Sequence, residues 1–351
     1  MIHVGDCLEV MRGMADRSVQ TCITSPPYFG LRDYGVDGQI GLEATPGEFV
    51  GRLVEVFREV RRLLRDDGTL WLNLGDSYAS KPNGSVGATG LQGGLSPHVS
   101  VRQAHARRSA RIPDGLKHKD LMGIPWRVAF ALQEDGWYLR QDIIWSKPNP
   151  MPESVEDRCT KAHEYLFLLS KSSDYYYDQN SIREQAAPSS VARWAQNLDG
   201  QAGSDRVPGK TNGAMKAVGG RSKRDTFARA GKVADHVVPG QSAAQHRSDR
   251  EEDTFDIASR NKRSVWTVPT MPFKEAHFAT FPERLIEPCV LAGAPAGGVV
   301  LDPFMGAGTT AVVAERLGRR WVGCELNPEY AAIAEARIRI AQPGLPLGAI
   351  A

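Results

Sequence analysis

Short apolar runs alternate along the chain with longer segments in which apolar residues recur at helical spacing. The apolar runs predict strands at 19–24, 69–74, 138–145, 165–169, 299–302 and 321–325. The helical spacing predicts helices at 47–64, 124–134, 282–292 and 309–317, and a last helix that starts near 327–329. The sequence Asp66-Asp67-Gly68 is expected to end the first of these helices. Strands that alternate with helices of this length predict an α/β fold, with a doubly wound and mostly parallel sheet.

Two stretches interrupt this alternation and show no periodicity. The first, at about 79–119, carries six Lys or Arg and two Asp between residues 100 and 120. The second, at about 181–263, carries ten Lys or Arg and four Asp between residues 200 and 250. Both read equally well as solvated, flexible loops and as a basic surface for a polyanion. They divide the chain into three parts, 1–180, 181–263 and 264–351.

Composition places the chain among soluble globular proteins. Of its 351 residues, 41% are hydrophobic and 24% are charged, and no apolar run reaches membrane-spanning length. The start of the chain lacks the pattern of a signal peptide, so a cytoplasmic location is expected. The five cysteines are scattered without metal-ligand spacing, which predicts neither a disulfide framework nor a metal site. Cys289 follows a proline, as nucleophilic cysteines in some methylating enzymes do, but its surroundings favour a packed helix.

A stiff, polar segment follows the predicted strand at 19–24. Proline fixes its own φ and pushes the preceding residue to an extended conformation, so Ser25-Pro26-Pro27-Tyr28 should be rigid, with free carbonyl groups. We call these four residues the hook. Ligands of open α/β sheets bind beyond the carboxyl ends of strands, where the hook lies.

A glycine loop follows the predicted strand at 299–302. It reads Asp302-Pro303-Phe304-Met305-Gly306-Ala307-Gly308 and precedes a predicted helix, so a tight helix-start turn is one interpretation. The other is a ligand site, because Glu325 ends the next strand, 17 residues after Gly308, where a carboxylate can bind ribose hydroxyls. A third glycine and a P-loop lysine are both missing from the pattern, and Asp302 would repel a pyrophosphate. A nucleoside that carries an amino acid, such as S-adenosylmethionine, fits better.

Taken in order, these motifs resemble the DNA amino-methyltransferases of the circularly permuted beta class. In that class the S-P-P-Y segment comes first, a target-recognition insert follows, and the cofactor loop comes last. Further matches are Gly5-Asp6-Cys7-Leu8, Asn73-Leu74-Gly75-Asp76, the segment 143–154, Asp157-Arg158, His163-Glu164-Tyr165 and Ala279-Thr280-Phe281-Pro282. The resemblance covers the three ordered blocks and leaves the basic stretches unmatched. It implies a Rossmann-like methyltransferase sheet in which 1–180 is the catalytic half, 181–263 the target-recognition insert and 264–351 the cofactor-binding half.

The resemblance also implies roles for individual residues. Asp6 would meet the adenine amino group of S-adenosylmethionine, Asp302 its amino-acid end and Glu325 its ribose. The other cofactor-binding positions would be Thr280, Phe281, Phe304, Gly306 and Gly308. Ser25, Pro26, Pro27 and Tyr28 would form the catalytic site, and Lys147 and Arg158 would contact DNA phosphates or remain surface charges. Asp6 and Asp76 could instead be helix caps.

The partners implied are double-stranded DNA and a second copy of the chain, without metal or membrane. The family includes the modification enzymes of restriction–modification systems, although the sequence identifies neither a cognate restriction enzyme nor a recognition site.

The hook suggests a mechanism. The lone pair of an exocyclic amine is delocalised into the base, so the amine is a poor nucleophile. If Ser25 and the Pro26 carbonyl accept hydrogen bonds from its N–H groups, a tetrahedral nitrogen is favoured, and stiff prolines keep these acceptors in place. The base would be flipped out of the duplex and stacked on Tyr28.

Several alternatives stay open. Serine at the first hook position, where other members have aspartate, favours cytosine N4 over adenine N6. An RNA or protein amide methyltransferase would share the hook and cofactor loop but would not need the basic insert. A non-catalytic DNA-binding protein would fail to bind S-adenosylmethionine.

Overall fold

A computed structural model describes residues 1–31, 35–79, 112, 115–194, 258–271 and 281–341. The chain divides into two compact units, one formed by Met1–Ile182 with Arg263–Ala351 and the other by Arg183–Lys262. The second unit covers nearly the same residues as the expected insert. Most of the first basic stretch and most of the second unit lie outside the described residues.

The longer helices and strands have bounds close to those predicted from the sequence. The strands are β1 Ile2–Val4, β2 Val19–Thr24, β3 Leu64–Leu74, β4 Tyr138–Ser146, β5 His163–Ser170, β6 Glu184–Gln185, β7 Ser259–Arg260, β8 Val265–Thr267, β9 Val299–Asp302 and β10 Arg320–Glu325. The helices are α1 Cys7–Arg12, α2 Pro46–Leu63, α3 Ile124–Glu134, α4 Pro188–Trp194, α5 Glu283–Gly293, α6 Thr309–Arg316 and α7 Pro328–Ala341. Strand β3 starts earlier than predicted, and β1, β6, β7, β8, α1 and α4 were not predicted. A 3₁₀ turn covers Asn180–Ile182. The second unit contains β6, β7 and α4, and its two strands pair antiparallel.

The first unit is built on an eight-stranded sheet with the strand order β1-β10-β9-β2-β3-β5-β4-β8. Each described pairing in it is parallel except those of β5, which runs antiparallel to both β3 and β4. The prediction of a mostly parallel α/β sheet is therefore confirmed.

The chain leaves the centre of this sheet in two directions. From β2 it moves through α2 to β3 on one side, and from β9 it moves through α6 to β10 on the other. Parallel crossover connections are right-handed. Two connections that move across the sheet in opposite directions therefore place their helices on opposite faces. The buried apolar side chains of α2 accordingly belong to one core cluster, with those of α1 and α3, whereas those of α5 pack in another with Val313 and Ala314 of α6. The junction between β2 and β9 is therefore a topological switch point, where ligands of such sheets bind.

The start of β3 differs from the sequence-based expectation. Helix α2 begins with a capping box between Thr45 and Glu48, and β3 follows its last residue at once. Asp66, Asp67 and Gly68 therefore lie inside the strand and do not separate it from the helix. The pairing of β2 with β3 shifts register between Val19 and Thr21, so these extra residues are accommodated as an irregularity in the strand. The pattern of charge and glycine indicated a break in the helix but could not reveal this pairing.

Candidate active site

A cleft opens at the carboxyl ends of β2, β9 and β10. This is the edge of the sheet where ligands bind at a topological switch point. The lining of the cleft comes from the segments after β1, β2 and β9, from the end of β10 and the residues after it, and from positions at or near the starts of α5, α6 and α7. The lining residues are Gly5, Asp6, Cys7, Ser25, Pro26, Pro27, Tyr28, Leu31, Val36, Gly38, Gln39, Ile40, Phe281, Pro303, Phe304, Met305, Gly306, Ala307, Thr309, Cys324, Glu325, Leu326, Asn327 and Tyr330. The four hook residues and much of the glycine loop thus share one cleft. The parallel pairing of β2 with β9 explains this, because it places the ends of both strands side by side.

The hook is anchored by the residue that precedes it and by its own last residue. β2 is buried along its whole length, which fixes the direction in which the chain leaves the sheet. Its last residue, Thr24, donates a hydrogen bond from its hydroxyl group to Asp302 Oδ1 (2.6 Å). At the other end, the Tyr28 hydroxyl donates to Glu164 Oε2 (2.6 Å) and contacts Asn73 Oδ1 (3.3 Å). The two prolines between these anchors restrict the remaining freedom of the hook.

The glycine loop and β10 are joined through Glu325. Its Oε2 accepts the N–H of Gly306 (2.7 Å) and its Oε1 accepts the N–H of Asn327 (2.9 Å). Burial raises the pKa of the Glu325 carboxyl despite these two bonds. Each carboxylate oxygen has a second lone pair, so the same group can also accept hydrogen bonds from the hydroxyl groups of a ligand. Gly306 has a φ of +51°, a conformation that favours glycine and lets its N–H point at Glu325.

Asp302 and Gly308 do not line the cleft but support its floor. The Asp302 carboxylate is 1% exposed, and it accepts hydrogen bonds from Thr24, from the Phe304 N–H (3.1 Å) and from Thr310 Oγ1 (2.6 Å). Burial outweighs these bonds and raises the pKa of Asp302 to about 6. Gly308 has a φ of +77° at the start of α6, and a Cβ there would lie 2.9 Å from Ala334 Cβ of α7. Asp302 therefore links β2 to the start of α6, and Gly308 allows α6 to pack closely against α7.

Asp6 has two roles in this geometry. Its Oδ1 accepts the N–H groups of Leu8 (2.9 Å) and Glu9 (3.1 Å), so it caps α1, and the residue also lines the cleft. Asp76 likewise bonds to the N–H groups of Gly123 and Ile124, each at 3.1 Å, at the start of α3. Asp6 is therefore the N-cap residue of α1, whereas the N-cap of α3 is Gly123 and Asp76 binds the start of that helix from a distant part of the chain.

Of the aromatic residues expected to bind the cofactor, Phe281 and Phe304 line the cleft. Thr280 lies outside the described residues.

Lys147 and Arg158 both have partners within the protein. Lys147 Nζ forms an ion pair with Glu164 Oε1 and lies 4.3 Å from the centroid of the Trp145 ring. Arg158 forms an ion pair with Glu153, and its guanidinium lies 3.9 Å from the centroid of the Tyr78 ring. Their side chains are 18% and 26% exposed, so neither is an open surface charge. A phosphate contact by either residue stays a prediction.

Cys7 and Cys324 also line the cleft, although sequence reasoning gave neither a role there. Burial raises the pKa of the Cys7 thiol to about 12 and that of Cys324 in the same direction, so both are protonated and act as small apolar groups. Cys7 directly follows Asp6, and Cys324 directly precedes Glu325. Their adjacency to residues already expected at the site is the signal that could have identified them. Cys289 is fully buried in α5, as the packed-helix interpretation predicted.

The described residues contain neither a metal site nor a membrane-spanning helix. Within the described ranges, no group of three or more His, Cys, Asp and Glu side chains is arranged to hold a metal ion. No helix among the same residues has both the length and the apolar character needed to cross a bilayer.

The donor set of the cleft fits S-adenosylmethionine. Glu325, held by two backbone N–H groups, can bind ribose hydroxyls. The apolar rings of Phe281 and Phe304 can cover a purine. A doubly wound sheet with this cleft at its switch point, lined by a proline hook, is the arrangement that the resemblance to the S-adenosylmethionine-dependent amino-methyltransferases implies.

Comparison with known proteins identifies the family. The DNA methylase family model N6_N4_Mtase matches residues 19–336. The chain is 44% identical over 335 residues to the Type II methyltransferase M.Cfr9I of Citrobacter freundii, covering 95% of this chain and 86% of that protein. It is 42% identical over 337 residues to the Type II methyltransferase M.SmaI of Serratia marcescens, covering 96% and 90%. The chain belongs to the N6_N4 DNA methylase family and is an S-adenosylmethionine-dependent DNA methyltransferase.

Solved structures agree on the fold. A protein of Thermus thermophilus, described as a putative DNA modification methylase in complex with S-adenosyl-L-methionine, superposes with a TM-score of 0.53 at 23% identity, covering 98% of this chain and 95% of that one. The PvuII DNA methyltransferase, described as cytosine-N4-specific, has a TM-score of 0.57 at 16% identity, covering 98% and 87%. At these identities the likeness concerns the fold alone.

Proposed function

We propose that this enzyme transfers a methyl group to the N4 amino group of cytosine in double-stranded DNA. The observation that carries the proposal is Ser25, a neutral acceptor, at the first position of a hook that lines the cleft. In this family aspartate at that position leans towards adenine N6 and serine towards cytosine N4. The Type II relatives at 42–44% identity support DNA as the substrate without identifying the base.

The hook residues hold and polarise the amine. The Ser25 hydroxyl and the Pro26 carbonyl accept hydrogen bonds from its two N–H groups, which turns its lone pair away from the base ring. Bound S-adenosylmethionine supplies an activated methyl group. The prolines stop the acceptors from relaxing as positive charge develops on nitrogen, so the site is electrostatically preorganised. Removing one preorganised polar contact of this kind typically costs a factor of about 100 or more in rate.

The target base reaches the hook by flipping out of the duplex. Flipping costs about a few kcal/mol, and stacking on an aromatic ring returns about 1–3 kcal/mol of it. Tyr28 lines the cleft and is the hook's aromatic side chain, so we assign the stacking to it.

Cofactor binding is divided between residues in contact and residues behind them. We assign ribose binding to Glu325, the adenine amino group to Asp6, and packing contacts to Phe281, Phe304 and Gly306, since all of these line the cleft. Asp302 and Gly308 instead stabilise the conformation of the glycine loop, Asp302 through its hydrogen bonds and Gly308 through its close contact with α7.

The test is mass spectrometry of nucleosides from DNA incubated with the purified protein and S-adenosylmethionine. We expect N4-methylcytosine, formed more slowly by about 100-fold or more when Ser25→Ala protein replaces the wild type. N6-methyladenine in its place would overturn the assignment of the base and retain the enzyme class. Methylation of RNA or protein with no modified DNA nucleoside would contradict the proposal as a whole.

We also propose that the second unit, Arg183–Lys262, reads the target sequence. Its bounds and its basic composition support this role. Replacing it with the aligned segment of the Serratia marcescens relative should transfer that enzyme's site preference, mapped by sequencing the methylated DNA. An unchanged preference would contradict the assignment.

A further inference from the structure

Tyr28 is held at its hydroxyl end by groups on two neighbouring strands. The hydroxyl donates a 2.6 Å hydrogen bond to Glu164 Oε2, and Asn73 Oδ1 lies 3.3 Å away. Asn73 is itself fixed, because its Nδ2 donates to the Tyr165 carbonyl (3.1 Å) and contacts Glu164 Oε2 (3.3 Å). Glu164 lies in β5 and Asn73 in β3, which pair directly, so the tyrosine is tied to the rigid sheet.

Glu164 is fixed in turn by Lys147. The two side chains form an ion pair through Glu164 Oε1, the oxygen that Tyr28 does not use. They are only 14% and 18% exposed, and the Trp145 ring lies against the ammonium group. An ion pair of low exposure is screened little by solvent, so it holds its geometry better than a surface pair does. The antiparallel pairing of β4 with β5 places Lys147, just after the end of β4, beside Glu164 at the start of β5.

A glycine fixes the side of the tyrosine ring. A Cβ built on Gly75 would lie 2.5 Å from Cε2 of Tyr28 and 3.1 Å from both Cδ2 and Cζ. No side chain fits at that distance, so the ring lies directly against the backbone of residue 75. Its position is therefore defined from two directions, by the hydrogen bond at the hydroxyl and by the contact at Gly75.

We propose that Glu164 and Lys147 are positioning residues that set the Tyr28 ring before the target base arrives. The inference rests on the proposed stacking of the base on Tyr28. A ring that is already ordered loses little further freedom when the base binds, and it holds the base at a defined distance from the methyl donor. It also gives a role to the ion pair between Lys147 and Glu164.

The experiment compares single-turnover methyl transfer on a duplex that the wild type methylates. Glu164→Ala should slow transfer by about 10- to 100-fold, since small displacements of reacting groups cost that much, with S-adenosylmethionine affinity within twofold of wild type. Glu164→Gln keeps an acceptor for the Tyr28 hydroxyl and should recover part of the rate. The matched control is Asp135→Asn, a carboxylate of the same 14% exposure, paired with Arg58 near the start of β4, which should react at the wild-type rate.

Repeating the Glu164→Ala substitution in Tyr28→Phe protein distinguishes a role in positioning Tyr28 from a general structural role of Glu164. In Tyr28→Phe protein the hydroxyl is already absent, so adding Glu164→Ala should slow transfer by less than threefold. An equal loss in both backgrounds would overturn the inference, as would an unchanged rate in Glu164→Ala. Glu164→Ala leaves Lys147 unpaired, so Glu164→Ala/Lys147→Met serves as the check on folding. It should regain the thermal stability that Glu164→Ala loses, while its rate stays low.

The outcomes for Tyr28→Ala distinguish the two proposals. If Tyr28→Ala methylates at the wild-type rate, the stacking role assigned to Tyr28 fails. If Tyr28→Ala is inactive and Glu164→Ala reacts at full rate, only the positioning role fails.

Discussion

Thr24 and Asp302 are 278 residues apart in the chain, and the Thr24 hydroxyl donates a 2.6 Å hydrogen bond to Asp302 Oδ1. Thr24 ends β2, directly before the hook, and Asp302 ends β9, directly before the glycine loop. The other carboxylate oxygen accepts from Thr310 at the start of α6. One buried carboxylate therefore joins the strand that leads into the hook to the start of the helix that follows the glycine loop.

The first prediction concerns Asp302→Asn and the dependence of stability on pH. Burial raises the folded-state pKa of Asp302 to about 6, from an ordinary value of 3.8. Between these values the folded protein binds the proton more tightly than the unfolded chain does, so this group's contribution is present below pH 4 and is lost as pH rises through 6. The loss amounts to ~3 kcal/mol at most, at about 1.4 kcal/mol per pKa unit.

The side-chain amide of the Asp302→Asn variant does not titrate, so the unfolding free energy of this variant relative to wild type should rise between pH 4 and pH 6.5 and then level off. Chemical denaturation across this range measures the difference. Asp174→Asn, an exposed carboxylate, is the control and should follow the wild-type curve throughout. A difference that is flat over the whole range would show that Asp302 does not titrate there.

The second prediction concerns Thr24→Val. This change keeps the side-chain shape and removes the donor, which leaves a buried carboxylate with one bond fewer. We expect the free energy of unfolding to fall by about 1–3 kcal/mol at neutral pH. Thr24→Ser keeps the hydroxyl group and should recover most of that loss. Urea denaturation of the three proteins checks the order, and equal stability of the Val and Ser variants would contradict the importance of the bond.

The third prediction concerns Gly308→Ala at the start of α6. At a φ of +77° an alanine is strained by about 1–2 kcal/mol. Its Cβ would also lie 2.9 Å from Ala334 Cβ, so α7 would have to move. Gly318→Ala is a matched control, because it has a φ of +70° and nothing within 4 Å of the added Cβ. Urea denaturation should show a larger loss of stability for Gly308→Ala, and equal losses would mean that α7 accommodates the methyl group freely.

The fourth prediction separates the two sides of the cleft. Ser25→Ala should slow methyl transfer by about 100-fold or more, because it removes one acceptor for the amine. Its affinity for S-adenosylmethionine should stay within twofold of wild type. Glu325→Gln should instead weaken cofactor binding by about tenfold, since a hydrogen bond to a charged group contributes roughly 1.5–3 kcal/mol.

Calorimetric titration of the cofactor and single-turnover kinetics on DNA measure these two effects. If Ser25→Ala lost cofactor affinity and Glu325→Gln retained it, the assignment of the amine to Ser25 and of the cofactor to Glu325 would be wrong.

Much of the fold was readable from local patterns. Helix α2 and strand β9 follow apolar spacing closely, because a helix or strand buries one face against the rest of the protein whatever the topology. The three-residue strand β1 was not predicted, since such a short edge strand shows no usable periodicity. The proline hook and the glycine loop were recognisable for a similar reason, as proline and glycine restrict or free the backbone locally.

The sequence by itself therefore determined most of the longer elements, the two motifs of the cleft and the family to which they belong. Only the tertiary structure decided that Asp302 bonds to Thr24 instead of lining the cleft, and that Lys147 pairs with Glu164 beneath Tyr28. The type of a residue limits which hydrogen bonds and ion pairs its side chain can form. Which distant residue becomes its partner depends on how the strands pair. Parallel pairing of β2 with β9, and antiparallel pairing of β4 with β5, brought these distant side chains together.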